Sequence, residues 1–349
     1  MNKYYTRPCN FYFGSTSKNN IKKKLSIPLN GNTLISFDKV EIISRKNSKI
    51  INIKDIYKLP KNQKIKINKD LKKIKQKKTF KQLSLSNIPI LMGIVNLTPD
   101  SFSDGGTYNN KNLALKHINN LLLSGAKIID IGGESTRPGA NDVSYTKEWD
   151  RIKLVLKMLK HKKCFISLDT RKSFVMKKAS KLKVDLINDV SGLDYDPETI
   201  NFLKKTAKPF IIHHMKGTPK NMQIKPLYKN ILLDIYDFFE TKLKYVRKKG
   251  IKHNNIILDP GIGFGKNLKH NITLIKNISI FHSLGLPIML GLSRKKFIKD
   301  ISKENDTRKR LGGTISSCIQ SYLQGVQILR VHDVKEINQA FKVFKNLQN

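Results

Sequence analysis

Cysteine and acidic residues are scarce in this 349-residue chain, and so are long apolar runs. The three cysteines, Cys9, Cys164 and Cys318, are odd in number and far apart, which argues against a disulfide framework and a paired-cysteine metal site. Reduced thiols in a cytosol fit this pattern. No stretch approaches the ~18 uninterrupted apolar residues of a membrane span, and the N-terminus lacks an apolar signal core. We therefore expect a soluble, cytoplasmic protein without membrane contact.

The shortage of acidic residues leaves a net charge of +41, from 67 Lys and Arg against 26 Asp and Glu. Clustered basic residues supply most non-specific affinity for nucleic acid. Here the excess is spread along the chain, because residues 1–88 carry +18 and the remainder +23. This distribution favours a solvated basic surface over a nucleic-acid site. The alternative, a basic N-terminal segment that binds RNA, predicts salt-sensitive binding that is lost when residues 1–88 are deleted.

The chain divides into two parts of different character near residue 88. The Lys-rich segment from Asn62 to Lys81 has no Gly or Pro and reads as a linker or an exposed helix. Before it, Phe11–Phe13 and the partly alternating Thr33–Ser44 indicate strands. We therefore expect residues 1–88 to form a basic extension with a small β-containing module, and residues 89–349 to form the main domain.

The main domain alternates short β-branched runs with helical patterns, such as Trp149–Lys160, which is typical of parallel βα units. Eight units in about 260 residues predict a (β/α)₈ barrel, with a doubly wound open sheet as the alternative. The eight runs are Ile90–Val95, Lys127–Ile131, Phe165–Leu168, Val184–Ile187, Pro209–Ile212, Asn255–Leu258, Pro287–Leu290 and Val326–Leu329.

Polar residues follow nearly every run, at the end of the barrel where such folds place their active sites. They are Asn96, Asp130, Asp169, Asn188 with Asp189, His213 with His214, Asp259, Ser293 to Lys295, and Arg330 with His332. Carboxylates and an amide suit a flat heterocycle with several N–H donors, whereas the cationic groups and His332 suit anionic oxygens. Asn96 offers an oxygen to Mg²⁺ beside a phosphate. The set predicts an N-heterocycle that bears a phosphate-type leaving group.

Two local patterns carry less weight. The glycines of Gly261–Lys266 miss the spacing of a phosphate-binding loop. His213 and His214 have no partner ligand at a suitable spacing, so packing or hydrogen bonding is the better interpretation. By contrast, Asp104–Gly106 and Gly132–Gly139 read as loops that fold over a ligand.

Taken in order, the motifs of residues 92–336 resemble those of the dihydropteroate synthase family. MGIVNLTPDSFSDGG and IIDIGGESTRPGA match its two signature segments, followed by LDT, INDVSGL, LDPGIGFGKN, GLSRKKF, RLGGT and RVHDVKE. The resemblance implies a transferase of folate biosynthesis that joins a pterin pyrophosphate to 4-aminobenzoate. It also implies a Mg²⁺ cofactor, a homodimer and a target of sulfonamides.

The resemblance implies a role for each matching residue. The pterin would contact Asp130, Asp169, Asn188, Met215, Asp259, Phe264, Gly291 and Lys295. The pyrophosphate and its Mg²⁺ would contact Asn96, Arg330 and His332, and the 4-aminobenzoate side would comprise Phe102, Thr136, Arg137, Pro138 and Ser293. The catalytic set would be Asp169, Asp259, Lys295, Arg330 and His332.

The sequence departs from the family pattern at two positions. Arg171 stands where a small residue is usual, and we expect it to add a positive charge near the mouth. His213 stands where an apolar residue is frequent. A related barrel that transfers methyl groups to a corrinoid protein, and a barrel that has lost its activity, remain as alternatives, against which the STRPG and SRKK loops and the intact polar strand ends argue.

Overall fold

The structure, a computed structural model, describes residues 3–77, 83–98, 107–137, 139–251 and 255–348, with only the backbone of 107–111. Its N-terminal part is an antiparallel sheet in which β1 (Tyr5–Phe13) pairs with one edge of the long strand β3 (Asn32–Ile43). The other edge of β3 pairs with β2 (Ile27–Leu29) and β4 (Ser48–Asn52). Strands thus occur at both predicted places. A helix, α1 (Gly14–Lys22), connects β1 to β2.

The Lys-rich segment is a half-buried helix, which corrects the prediction of a linker or an exposed helix. A 3-10 helix, Ile53–Lys58, leads into α2 (Lys61–Lys75). Ile67, Leu71 and Ile74 are spaced by four and three residues, so they share one face of α2, and all three are buried. The end of the predicted segment, residues 78–82, lies outside the described residues.

The N-terminal sheet packs against the outside of the C-terminal domain, on α7 (Ile231–Lys248) and a 3-10 helix, Ile278–Leu284. The ring of Tyr5 meets that of Tyr236 edge to face at 5.0 Å, and its hydroxyl donates to Asp237 at 2.9 Å. Lys3 and Arg45 also form ion pairs with Asp237. One apolar core is continuous across both parts, while the boundary near residue 88 stays a prediction.

Eight parallel strands form the predicted (β/α)₈ barrel. They are β5 (Ile90–Asn96), β6 (Ile128–Gly132), β7 (Phe165–Asp169), β8 (Leu186–Asp189), β9 (Phe210–His213), β10 (Ile256–Asp259), β11 (Met289–Gly291) and β12 (Ile328–Val331). The order β10-β9-β8-β7-β6-β5-β12-β11 is closed by a parallel bridge between Leu258 and Ile288. This closure rules out the open doubly wound sheet. Each strand lies within about two residues of its predicted run, as expected for boundaries.

The barrel interior is apolar at one end and polar at the other, because alternate residues of a strand point to the same side. Leu83 and Leu85 pack into the apolar end. There they meet an inner cluster made of Ile90, Met92, Ile128, Leu186, Ile211, Ile257, Met289 and Ile328. Two or four residues further along the strands, the same alternation places Asn96, Asp130, Asp169, Asn188, His213, Asp259 and Arg330 on the inner side at the carboxyl ends.

Helices surround the barrel. They are α3 (Thr107–Leu123), α4 (Tyr145–Met158), α5 (Ser173–Ala179), α6 (Glu198–Thr206), α7, α8 (Leu268–Lys276), α9 (Lys296–Ser302), α10 (Leu311–Tyr322) and α11 (Val334–Gln348). α4 covers most of the predicted helix Trp149–Lys160 and begins earlier, because Ser144 accepts a hydrogen bond from the Lys147 N–H and caps it. Among the described residues, no helix is long and apolar enough to cross a membrane, and the three cysteines are unpaired.

Candidate active site

Arg330 lies between two buried carboxylates at the mouth of the barrel. Its Nε donates to Asp130 Oδ2 at 2.6 Å, and its Nη2 donates to Asp169 Oδ2 at 2.8 Å. Asn188 Nδ2 also donates to Asp130 Oδ2, at 3.2 Å. The ends of β6, β7, β8 and β12 therefore meet in one hydrogen-bonded group. The resemblance assigns Arg330 to the pyrophosphate, and Asp130 and Asp169 to the pterin. In this structure, both acids accept hydrogen bonds from the Arg330 guanidinium.

Two buried carboxylates, Asp130 and Asp169, share one cation in this group. The shifted pKa values of Asp169 and Arg330 reflect this arrangement. Burial and the nearby Asp130 carboxylate raise the pKa of Asp169, although Arg330 opposes the shift. The two acids raise the pKa of the Arg330 guanidinium, which burial alone would lower. A ligand that brings a further N–H donor or a partial positive charge to Asp169 would therefore be favoured.

Two oxygens of this group have no hydrogen-bond partner among the described residues. They are Asp130 Oδ1 and Asn188 Oδ1, and both side chains are almost completely buried. Buried polar atoms are normally paired, and an unpaired acceptor costs roughly 1–3 kcal/mol. These acceptors make the mouth complementary to a ring that carries several N–H groups.

Asp259 and Lys295 lie close enough for their charges to interact, and Lys295 lies next to an aromatic ring. The Asp259 carboxylate accepts from the Gly261 N–H at 2.8 Å, and burial raises its pKa against the opposing charge of Lys295. The Lys295 ammonium donates to the Ile262 carbonyl and lies 4.7 Å from the centre of the Phe264 ring. Burial lowers the pKa of Lys295 to about 8. A carboxylate, an ammonium and an aromatic ring thus lie near one another at this end of the barrel.

A glycine is required where the chain turns after Asp259. Gly261 has φ +70°, and a Cβ there would lie 2.0 Å from the His214 carbonyl oxygen. Any side chain at this position would displace the loop and the N–H that holds Asp259. The glycine run therefore positions a carboxylate, and its resemblance to a phosphate loop has no role here.

Both consecutive histidines are held by hydrogen bonds and ring packing, as predicted. His213 Nδ1 lies 2.9 Å from the Val190 carbonyl, and its ring meets Phe264 edge to face. His214 Nδ1 lies 3.0 Å from the buried Lys266 ammonium. Burial lowers the pKa of each imidazole well below its usual value. No group of three or more His, Cys, Asp or Glu in the described part of the chain could hold a metal ion.

His332 is a neutral imidazole at the rim. Its Nδ1 lies 3.0 Å from Ser293 Oγ, which also accepts from the His332 backbone N–H at 3.3 Å. Burial, followed by the charges of Arg294 and Arg330, lowers the pKa of His332 to about 3. At neutral pH it contributes a hydrogen bond without a charge, so in the predicted set of Arg330, His332 and Lys295 the positive charge comes from Arg330 and Lys295.

The remaining predicted residues lie around this mouth or outside the described residues. Asn96 is partly buried at the end of β5 and pairs in register with Gly132. Arg137 is exposed, and its charge helps to lower the pKa of His332. Thr136 and Met215 are partly buried, and Gly291 leaves space beside the Lys295 ammonium. Phe102, Pro138 and the loop Asp104–Gly106 fall outside the described residues.

Asp189 and Arg171 do not act as the sequence suggested. Asp189 points away from the mouth and accepts from the N–H and hydroxyl of Ser191. Arg171 adds no free positive charge, because its guanidinium is buried against Glu134 and Asp142. The expectation of an added charge is therefore wrong: Arg171 follows β7, and acids from the loop after β6 neutralise it.

Two residues that support the rim, Asp333 and Arg310, were not singled out from the sequence, and Arg294, named there within Ser293 to Lys295, was given no role of its own. Arg294 forms a two-pronged ion pair with Asp333, and Arg310 donates to the Arg294 carbonyl at 2.9 Å. These contacts connect the loops that carry Ser293 and His332. The available signal was their place in the motifs GLSRKKF, RLGGT and RVHDVKE.

Comparison with known proteins agrees with this geometry. Residues 92–332 match the family described as pterin binding enzyme. The chain belongs to the pterin binding enzyme family. A relative named dihydropteroate synthase, from Escherichia coli strain K12, is 40% identical over 262 residues, which is 75% of this chain and 92% of the relative.

Solved structures of this family have the same fold. The Yersinia pestis dihydropteroate synthase, in a sulfonamide drug complex, is 41% identical with a TM-score of 0.71, covering 76% of this chain and 96% of its own. The Xanthomonas albilineans dihydropteroate synthase with 4-aminobenzoic acid is 34% identical, with a TM-score of 0.71 and coverage of 76% and 95%. All three comparisons span nearly the whole relative, so the family's barrel is represented here over almost its full length.

Proposed function

We propose that this chain is a dihydropteroate synthase, a transferase of folate biosynthesis. It condenses 6-hydroxymethyl-7,8-dihydropterin pyrophosphate with 4-aminobenzoate and releases pyrophosphate. The observation that carries the proposal is the set of buried acceptors at the mouth: the carboxylates of Asp130, Asp169 and Asp259 and the amide oxygen of Asn188. A pterin presents N–H donors along its edge, and such acceptors satisfy them.

The pterin ring lies among these acceptors in our account. Asp259 accepts from the N–H groups of the amino-pyrimidine edge, and Lys295 donates to the ring carbonyl. The negative carboxylate thus meets partly positive N–H groups, and the positive ammonium meets a partly negative oxygen. Phe264 offers a face beside the ring, and Gly291 leaves room for it. Asn188 and Asp169 accept the remaining N–H groups. Buried groups that stay unpaired without the correct ring give strong discrimination against other heterocycles.

The pyrophosphate lies toward Arg330, His332 and Asn96. The Asn96 amide oxygen suits Mg²⁺, which binds few protein oxygens when phosphate and water complete its shell. When bound, Mg²⁺ would neutralise charge on the leaving pyrophosphate. Arg330 donates to the same anion, and the neutral His332 contributes one hydrogen bond. Thr136, Arg137 and Ser293, with Phe102 and Pro138, lie on the 4-aminobenzoate side in this proposal.

The reaction needs little proton transfer before bond formation, because an aromatic amine is neutral at pH 7. Its nitrogen forms a bond to the pterin CH₂ carbon as the C–O bond to pyrophosphate breaks, and the amine then loses one proton. Positive charge develops on the pterin and negative charge on the leaving group. Fixed charges that face those regions lower the barrier. Asp169 faces the first region and Arg330 the second.

Replacing Asp169 by asparagine should mainly lower kcat. The variant keeps the shape of the side chain but loses a carboxyl group that can ionise against the developing pterin cation, which an amide cannot do. A charge-assisted contact of roughly 1.5–3 kcal/mol corresponds to a fall in kcat of about 10- to 200-fold. Steady-state kinetics with both substrates would test this. An increase confined to the KM for 4-aminobenzoate would mean that Asp169 has another role.

Replacing Lys295 by arginine should remove an alkaline limb from the pH profile. The pKa of Lys295 is lowered to about 8, so the side chain is charged below that pH and neutral above it. In the unmodified protein, kcat/KM for the pterin substrate should therefore fall above pH 8. Arginine stays charged throughout, so the variant should be less active overall but flat in this range. Parallel alkaline limbs in the two proteins would contradict the assignment.

Several finer statements belong to the same proposal. We propose a cytoplasmic homodimer that is inhibited by sulfonamides, as the resemblance implies, without a membrane or nucleic-acid partner. RNA binding by the N-terminal part receives no support from Lys3 and Arg45, whose charges pair with acids of α7. Deletion of residues 1–88 would also remove core residues such as Tyr5, so charge-reversal variants test RNA binding better.

A binding and transfer experiment distinguishes the proposal from its closest alternative. Calorimetry with the pterin pyrophosphate and Mg²⁺, followed by addition of 4-aminobenzoate, should give binding and then release of pyrophosphate. A barrel that serves methyl transfer would instead bind a methylated folate and methylate a corrinoid protein. Methyl transfer without pyrophosphate release would replace our proposal with that alternative.

A further inference from the structure

A buried ionic cluster joins the loop after β6, residues 133–144, to the loop after β7. None of its members was assigned to a substrate above. Glu134 is its centre and is itself buried. Glu134 Oε2 accepts from Arg171 Nε at 3.0 Å, and Oε1 accepts from the Lys172 ammonium at 2.8 Å. The same Oε1 accepts from the Val143 backbone N–H at 2.9 Å. The Glu134 carboxylate thus connects both ends of the loop after β6 to the loop after β7.

Arg171 adds a second attachment at the far end of this loop. Its terminal nitrogen donates to Asp142 Oδ1 at 2.7 Å and to Glu134 Oε1 at 3.2 Å. The guanidinium carbon lies 4.1 Å from the centre of the Tyr195 ring, so the guanidinium stacks on this ring and is hydrogen-bonded as well. Arg171 therefore holds residues on both sides of the segment that carries Thr136 and Arg137.

The cluster is tied to the barrel wall by Lys172. Its ammonium donates to Glu148 Oε2 at 2.7 Å, on the first turn of α4. Gly133 packs so closely on α4 that a Cβ would lie 2.8 Å from the Glu148 carbonyl oxygen. At the other side of the loop, the Gly139 N–H donates to the Pro219 carbonyl at 3.0 Å. The base of the loop is therefore fixed, and within the loop the charge of Arg137 helps to lower the pKa of His332 at the rim.

We propose that Arg171 is a positioning residue that fixes the Thr136–Arg137 segment over the mouth and so sets the affinity for the aromatic amine. This inference rests on the proposed function. In the described part of the chain, the Arg171 side chain bonds to Glu134 and Asp142 of this loop and stacks on Tyr195, and no hydrogen bond joins it to the acceptors of the pterin side or to Arg330. Its loss should therefore affect the two substrates unequally.

The test compares Arg171→Met and Arg171→Lys with the matched control Lys177→Ala. Lys177 lies on the neighbouring helix α5, is exposed and pairs loosely with Glu198 at 3.7 Å, so its removal deletes one charge without touching the loop. In Arg171→Met we expect KM for 4-aminobenzoate to rise about tenfold, the equivalent of one charge-assisted hydrogen bond. KM for the pterin pyrophosphate should stay within about twofold, and Arg171→Lys should be intermediate because it lacks the planar fork.

Amide hydrogen exchange gives a second readout that does not depend on turnover. Peptides that span residues 134–143 should exchange faster in Arg171→Met than in the unmodified protein or the control, while peptides from α7 should be unchanged. If Arg171→Met does not fold, Asp142→Asn removes one contact at an exposed carboxylate and should give the same changes with smaller size.

Two results would overturn the inference: exchange in 134–143 equal to that of the control, or faster exchange with an unchanged KM for 4-aminobenzoate. An unmodified protein that forms no dihydropteroate would overturn the proposed function instead. In that event the exchange comparison still decides whether Arg171 holds the loop.

Discussion

Replacing Asp259 by alanine should reduce kcat/KM for the pterin pyrophosphate by about 10² to 10⁴. The Asp259 carboxylate is buried at the end of β10, where the Gly261 N–H fixes one oxygen and Lys295 faces it. Two charge-assisted hydrogen bonds to the ring, each of roughly 1.5–3 kcal/mol, would be lost together. Most of the effect should appear as weaker binding of the pterin.

A matched control separates this effect from a general loss of stability. Asp150→Ala removes an exposed carboxylate whose ion pair, within the ranges that the structure describes, is with Lys153, three residues along α4. Such exposed pairs contribute little, so activity should be unchanged. Asp259→Asn should resemble Asp259→Ala, because the amide NH₂ would face the N–H donors of the ring. A kcat/KM for Asp259→Ala within about threefold of normal, measured at several pterin concentrations, would remove Asp259 from the site.

Replacing Arg330 by methionine should cost both activity and stability. The guanidinium is the cation shared by Asp130 and Asp169, and its removal leaves two buried carboxylates without a positive partner. Breaking a buried ion pair by removing one partner typically costs about 3–5 kcal/mol. The free energy of unfolding, measured by urea denaturation, should fall by that order. Pyrophosphate should also inhibit less, because its principal cation is absent.

The double variant Arg330→Met/Asp169→Asn is the control for this prediction. Removing the Asp169 charge as well eliminates one unpaired carboxylate, so part of the lost stability should return. Activity should not return, because both charged groups that face the reacting atoms are then absent. Equal stability of the single variant and the unmodified protein would contradict the role of Arg330 as the shared cation.

The barrel and the location of its site could be predicted because both depend on short-range patterns. Each strand is an apolar run of a few residues, and the polar residue that ends it lies on the inner side by simple alternation. Asp130, Asp169 and Asn188 therefore lie in one hydrogen-bonded group with Arg330, and Asp259 lies at the carboxyl end of β10, at the same end of the barrel. The strand ends shifted by one or two residues, because hydrogen bonding to the neighbouring strand decides where a strand stops.

Contacts across the barrel could not be predicted in the same way. The pairing of Arg330 with Asp130 joins residues 200 positions apart, and it exists because β12 returns to pair with β5, whose other neighbour is β6. Arg171 looked like a free charge, since nothing local reveals that Glu134 and Asp142 fold back onto it. Likewise, the many lysines of α2 made the segment look exposed in the sequence. The burial of Ile67, Leu71 and Ile74 depends on contacts of α2 with the N-terminal sheet and the 3-10 helix Ile278–Leu284.

Dihydropteroate formation by the purified 349-residue protein is the most direct test of this account. With Mg²⁺, 6-hydroxymethyl-7,8-dihydropterin pyrophosphate and 4-aminobenzoate, we expect dihydropteroate and pyrophosphate in equal amounts, and neither product when 4-aminobenzoate is omitted. Absence of dihydropteroate, while the folded protein still binds the pterin pyrophosphate, would contradict the proposed reaction and leave a pterin site that serves different chemistry.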